Sequence, residues 1–164
     1  MSVQPQVRPA TPDDLAAVFS LVRELADYEQ LSDEVTSSAD ALAAALFAEH
    51  PRVFCDVAHG PGEAVAGISV WFYSFSTFRG KHGLYIEDLF VRPKYRGKGY
   101  GRALLARAAK RCVAEGLGRL EWAVLDWNEP AIGFYQAQGA QMMDGWTTCR
   151  MSDEALWRLA DKSL

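Results

Sequence analysis

Apolar residues recur at helical spacing from Leu15 through Val18, Phe19, Val22, Leu25 and Ala26, which predicts an amphipathic helix to about Tyr28. Thr11-Pro12-Asp13-Asp14 ahead of it is a strong start signal. It combines a capping hydroxyl, a proline at the first helical position and two carboxylates at the positive dipole end. Val7 and its neighbours read as a short strand ended by Arg8-Pro9. After a polar gap from Glu29 to Val35, the apolar side Leu42, Ala45 and Leu46 predicts a second helix over 38–48. The β-branched and aromatic run at 53–58 reads as a strand, His59-Gly60-Pro61-Gly62 as a turn, and 64–77 as a long aromatic-rich strand.

The second half alternates more regularly. A turn at 79–83 leads into a strand over 83–91, interrupted at its centre by two adjacent carboxylates, Glu87 and Asp88. A basic loop at 92–98 opens a helix to about Glu115, with Leu104, Leu105, Ala108, Cys112 and Val113 inward and Gly116 and Gly118 as its stop. A strand over 120–125, a helix over 128–138 closed by Gly139, at least one strand within 141–151 and a short helix capped by Ser152-Asp153-Glu154 complete the chain. No linker, repeat or low-complexity segment interrupts residues 1–164. This order predicts one α/β domain with a mixed sheet.

Composition narrows the function. Lys plus Arg number 17 against 21 Asp plus Glu, a net charge of −4. That balance argues against a nucleic-acid partner, because phosphate backbones call for a basic face. It suits a small cationic partner equally well as ordinary solubility. Cys55, Cys112 and Cys149 are scattered and odd in number, as in a cytoplasmic protein with reduced thiols. Their spacing to His50, His59 and His82 offers no metal site. Met1 to Asp14 has no apolar signal core, and the stretch 64–75 is too short to span a bilayer, so neither a leader nor a membrane segment is expected.

The sharpest chemical feature is Arg92-Pro93-Lys94-Tyr95-Arg96-Gly97-Lys98-Gly99-Tyr100-Gly101, set between a strand and a helix. Glycines at 97, 99 and 101 permit close backbone approach and outward N–H groups, and the helix adds its positive end. Arg92, Lys94, Arg96 and Lys98 carry charge that matches a diphosphate. The plainer reading is a glycine-rich turn with solvated basic residues. A Walker loop is ruled out because Gly99, not Ser or Thr, follows Gly97-Lys98. The dinucleotide fingerprint fails too, since the third glycine comes one residue early.

Arg96-x-x-Gly99-x-Gly101 resembles the diphosphate loop of the GNAT acyl-CoA N-acyltransferases, and Asp126-Trp127-Asn128-Glu129-Pro130-Ala131-Ile132-Gly133-Phe134-Tyr135 resembles that superfamily's Asn…Tyr motif. Arg8-Pro9-Ala10-Thr11, the segment Tyr85 to Val91, Trp127 to Pro130 and Gly145-Trp146 are similar to the diamine (spermidine/spermine) N-acetyltransferases, with thialysine acetyltransferases close by. The resemblance implies a single GNAT-type α/β domain over 1–164, a mixed, mostly antiparallel sheet with a central splayed parallel strand pair, flanking helices, and a homodimer. It implies acetyl-CoA as cosubstrate and no metal. The backbone of Leu89 and Val91 would pair with the pantetheine amides. Arg96, Gly97, Gly99 and Gly101 would hold the diphosphate, and Asn128 would assist or simply cap its helix.

By the same resemblance Tyr135 protonates the departing thiolate. A phenol of pKa about 10 is a workable donor to a forming thiolate of pKa about 8.5. Taken as an isolated residue, Tyr135 reads first as a half-buried packing tyrosine, and the motif turns the reading to catalysis. Glu87 would take the amine proton through water, and Asp88 would hold a distal ammonium. On a regular strand the two carboxylates face opposite sides, unless a bulge realigns them. The other reading is an edge strand carrying protective charges. Trp146 lines the amine channel or belongs to the core, and Tyr28-Glu29 matches the family without an assigned role. The expected activity is acetyl transfer to a primary amine of a polyamine or diamine. The alternatives are a thialysine-like small amine, a protein N-terminus, or a non-catalytic acyl-CoA sensor.

Overall fold

The computed structural model describes residues 5–161. Among the described residues five strands make one sheet in the order β1–β2–β3–β4–β5. β1 (Gln6–Pro9), β2 (Phe54–His59), β3 (Val65–Ser76) and β4 (Lys81–Val91) are antiparallel neighbours, and β5 (Leu120–Trp122) runs parallel to β4. The mixed α/β sheet is therefore as expected, with β5 half the anticipated length. The parallel pair stands at one end of the described sheet.

Alternation along the strands separates two faces. Val57 and Ile68 are paired and point to the side covered by α1 (Leu15–Tyr28) and α2 (Ala39–Leu46), where Val18, Leu21, Leu25 and Leu46 pack with Cys55, Val70 and Phe90. Burial pushes the Cys55 thiol up to about 12, so it stays a protonated core residue. On the opposite side Tyr100 and Leu104 of α3 (Tyr100–Ala114) meet Ala58, Ala66 and Tyr95. Val113, expected to face inward, is 84% exposed, one position past the buried stripe. Gly116, at φ +65°, stops the helix where a side chain would be strained.

The start of α1 differs in detail from its sequence signal. The Thr11 N–H and hydroxyl donate to Asp14 Oδ2, at 2.8 Å and 3.1 Å, and the Asp14 N–H donates back to the Thr11 carbonyl at 2.9 Å. Arg8 completes the carboxylate's partners with Nη1 at 2.6 Å and Nη2 at 3.0 Å. Those bonds outweigh burial and hold the Asp14 carboxyl down to about 2.

The described residues group into two compact units, Met1–Leu125 and Asp126–Leu164. In the second, Asn128 Oδ1 accepts from the Ala131 N–H at 3.4 Å and so caps α4 (Glu129–Ala137), as its position before Glu129-Pro130 predicts. A last helix, α5, spans Asp153–Ala160. The strand expected within 141–151 does not form. Strand preference is a preference for a half-buried pleated surface with a ladder partner. Among the described residues this segment has no such partner, and nearly all of it is exposed. Among the described residues no helix is long and apolar enough to cross a membrane.

One basic residue of the loop is spent on the fold. Arg92 sends Nε to both oxygens of Glu24 at 3.0 Å, Nη2 to Oε1 at 2.8 Å and Nη1 to the Val65 carbonyl at 3.0 Å. It therefore ties the end of β4 to α1 and to β3, and it is not presented to a diphosphate as its sequence position suggests. The Arg92 bonds also hold the Glu24 carboxyl below its usual range. That contribution is fully present above the ordinary carboxylate pKa and is lost as pH falls from there through the lowered folded value. Arg92→Ala is expected to cost about 1–3 kcal/mol at pH 7, less at pH 3, read from urea denaturation midpoints at both pH values.

Candidate functional site

The site begins with a fault in the pairing of β3 and β4. Val70 faces Asp88 and Trp71 faces Ile86, so Glu87 is an extra residue without a partner. This is a β-bulge, the device that resolves the two adjacent carboxylates. Parallel pairing of β4 with β5 stops at the same place, the last pair being Ile86 with Trp122. Among the described residues β4 continues to Val91 paired only with β3. The Arg92 N–H donates to Ala66 O, so the backbone groups of Phe90 and Arg92 turn toward β3. By alternation those of Leu89 and Val91 turn toward the open edge. Leu89 thus turns its N–H and C=O, and Val91 its N–H, to the open edge, in the pattern that an amide-bearing chain can pair with, while the Val91 carbonyl accepts from Arg96.

Beside that edge lie the carboxylates. Val70, opposite Asp88, belongs to the α1–α2 core, so Asp88 projects to that face, near the end of α1. Burial pushes the Asp88 carboxyl up to about 6, and the Glu87 and Glu29 carboxylates push it the same way. Glu29, the residue that ends α1, is itself pushed up by burial. Glu87 is exposed. The structure therefore brings three acids together, of which sequence reading assigned two. Glu29 had only its place beside Tyr28 to mark it, because nothing local tells where a helix end docks.

The glycine loop leads from β4 through the turn Pro93–Tyr95 into α3. Gly97 and Gly99 sit at φ +70° and +88°, the left-handed region that glycine tolerates. Gly99 is the N-cap of α3 and brings no side chain, so the first-turn N–H groups, which have no partner within the helix, carry no side-chain cap. A Cβ on Gly97 would meet nothing within 4 Å, leaving open space over the loop. Gly101 is in the first turn of α3. These features fit a diphosphate held by backbone donors. The basic side chains are arranged otherwise: Lys98 Nζ donates to Lys94 O at 2.9 Å, and Arg96 Nε donates to Val91 O at 3.0 Å. The Arg96 guanidinium lies 4.8 Å over the Tyr28 ring and 5.5 Å from that of Phe90. It covers the end of the open edge rather than the loop.

In the second unit Asn128 and Tyr135 are buried, at 6% and 7% exposure, and the Phe134 and Tyr135 rings are 5.3 Å apart. Trp146 is 79% exposed in a turn where its N–H meets Met143 O.

The model of the GNAT acetyltransferase family matches residues 17–140. The chain belongs to that family. It is 40% identical to the thialysine N-epsilon-acetyltransferase of Bos taurus over 95% of this chain and 97% of the relative. It is 27% identical to the spermidine/spermine N(1)-acetyltransferase-like protein 1 of Homo sapiens, covering 94% of this chain but 24% of that larger protein. An integron cassette protein from the mobile metagenome of V. cholerae superposes with a TM-score of 0.78 at 26% identity, over 99% of both chains. Acetyltransferases of this family use acetyl-CoA, and the open β4 edge and uncapped α3 terminus fit its amides and diphosphate.

Two outcomes follow from this geometry. Gly99→Val is expected to weaken CoA binding at least tenfold by calorimetry, because it strains a left-handed residue and crowds the helix terminus. Asp88 has a folded pKa raised to about 6, so its ionisation begins to cost stability as pH rises past the ordinary carboxylate range, and the cost is complete above about pH 6. Asp88→Asn is therefore expected to raise the thermal midpoint at pH 8 and to leave it nearly unchanged at pH 4.

Proposed function

We propose that residues 1–164 act as one acetyltransferase domain that moves the acetyl group of acetyl-CoA to a primary amine of a small cationic acceptor by direct attack. The family match, which runs from the first unit into the second, supports a single domain. The observation that carries the reading is the bulge at Glu87, where the open edge of β4 and the acid group meet. Bound acetyl-CoA supplies a thioester with a good leaving thiolate. Leu89 and Val91 hold the pantetheine amides with their backbones, and Arg96, Gly97, Gly99 and Gly101 hold the diphosphate, with Asn128 ordering the start of α4. For Arg96 this role requires release of the Val91 carbonyl.

The acid group answers an electrostatic demand. An alkyl amine of pKa about 10.4 is roughly 0.04% neutral at pH 7, so its deprotonation costs about 4.6 kcal/mol. Carboxylates attract the cation yet raise that pKa further. An acceptor with a second positive group relieves the conflict. Its distal ammonium stays charged against Asp88 and Glu29, while the reacting nitrogen gives its proton to Glu87 through water. Tyr135 donates the proton that the departing thiolate takes up. The names of the relatives support small amines, thialysine and polyamines among them, as the acceptor class.

The reading extends to a homodimer in the cytoplasm, supported by the resemblance to diamine acetyltransferases and by three unpaired thiols. It includes neither a metal nor a nucleic-acid or membrane partner. A thiol-release assay with acetyl-CoA and a panel of amines tests the activity. Tyr135→Phe is expected to cut kcat by about 10²–10⁴ while CoA affinity, read by calorimetry, stays near that of the parent. Unchanged turnover in a folded variant removes Tyr135 from the mechanism. CoA binding with no amine-dependent thiol release points instead to a sensor.

A further inference from the structure

The face of β4 that carries Asp88 continues past the bulge. The extra residue at 87 keeps Tyr85 and Asp88 on one side, since their partners Phe72 and Val70 are two apart on β3. The Tyr85 and Phe72 rings lie 5.2 Å apart and form an aromatic floor. Across the parallel pair Tyr85 stands opposite Glu121. Burial pushes the Tyr85 phenol up, and the Glu87 and Glu121 carboxylates add to this. Glu121 is met by Arg119 Nε at 2.7 Å, and both side chains are partly exposed. The stem of Arg119 crosses the same face at Gly83, where a Cβ would come within 3.3 Å of Arg119 Cγ and 2.8 Å of Ser74 Oγ. That Ser74 hydroxyl is buried and makes no hydrogen bond. Along the face there follow, in order, the acids at 87 and 88, an apolar aromatic floor, and a pair of opposite charges.

We infer that Arg119 and Glu121 bind the amino-acid head of the acceptor, the guanidinium taking its α-carboxylate and the Glu121 carboxylate its α-ammonium, while the side-chain amine reaches Glu87 and Asp88. The assignment rests on the acetyl-transfer reading above and selects diamino acids within its acceptor class. Length agrees: Tyr85 to Asp88 spans roughly 7–10 Å at about 3.3 Å per residue, the scale of a lysine-length side chain. Charge agrees as well. A purely cationic polyamine would meet the Arg119 charge at the far end, whereas a zwitterionic head matches both members of the pair. Their mutual contact leaves room, because a guanidinium has five donors and a carboxylate about four acceptor sites.

The test compares kcat/KM for lysine, thialysine and ornithine with values for cadaverine and putrescine, which lack the carboxylate, and for 6-aminohexanoate, which lacks the α-amine. The parent chain is expected to prefer each diamino acid over its diamine by about tenfold or more. Arg119→Ala is expected to raise KM for diamino acids about tenfold with a small change in kcat, and to bring the diamino acid to diamine ratio near one. Arg119→Lys restores part of that ratio. Glu121→Gln lowers the preference for lysine over 6-aminohexanoate. An exposed pair contributes little to stability, so the variants fold, which circular dichroism checks. Equal use of diamine and diamino acid by the parent overturns the assignment, as does an unchanged ratio in Arg119→Ala. Absence of thiol release with every amine overturns the transfer reading, and this assignment with it.

Discussion

A single unpaired residue in β4 is the constraint on which the rest of the site depends. With Glu87 inserted between Ile86 and Asp88, the strand cannot keep both neighbours in register. It stays with β3, where Ile68, Ser69 and Val70 bury the ladder, and parts from β5. Parting leaves the backbone of Leu89 and Val91 facing outward on a rigid, half-buried strand. A regular strand would have satisfied those groups within the sheet, and nothing would remain for the amides of a coenzyme arm to pair with.

The same bulge sets the electrostatics. Without it Asp88 would point to the same side as the buried Ile86, toward α3, where a carboxylate would need a partner of its own. With it Asp88 meets Glu29 and Glu87, and the group carries a cost of like charge and burial that raises the Asp88 carboxyl to about 6. A cationic ligand cancels that cost. Clustered, partly buried carboxylates with a raised pKa are the kind of arrangement that functional sites often carry.

Basic residues in the loop divide their labour in a way their spacing conceals. Arg92 clamps β4 to α1 through Glu24, Arg96 lies over Tyr28 and on the Val91 carbonyl, and Lys98 closes on the Lys94 carbonyl. The anion-binding capacity that remains is mostly backbone: left-handed Gly97 and Gly99 followed by the uncapped turn of α3. Such donors are held by the helix itself and lose little entropy when a ligand arrives.

What the chain determined alone is what short-range physics can specify. Helical periodicity placed α1, α2, α3 and α4 to within a few residues, and proline with its neighbours marked the starts of α1 and α4. The glycines of the loop were legible because only glycine accepts φ near +70° to +90°. Two adjacent acids in an apolar strand announced either a bulge or an exposed edge, and local rules could not choose between them. The choice was made by the tertiary structure, because a bulge exists only relative to a partner's register. The same holds for Glu29, which gains meaning where α1 docks, and for Arg92, whose charge is claimed by a residue far away in sequence. Strand 141–151 failed for the converse reason. Its apolar residues match a pleated surface, but a strand is stabilised by the ladder beside it, and a one-dimensional pattern carries no information on whether that neighbour is present.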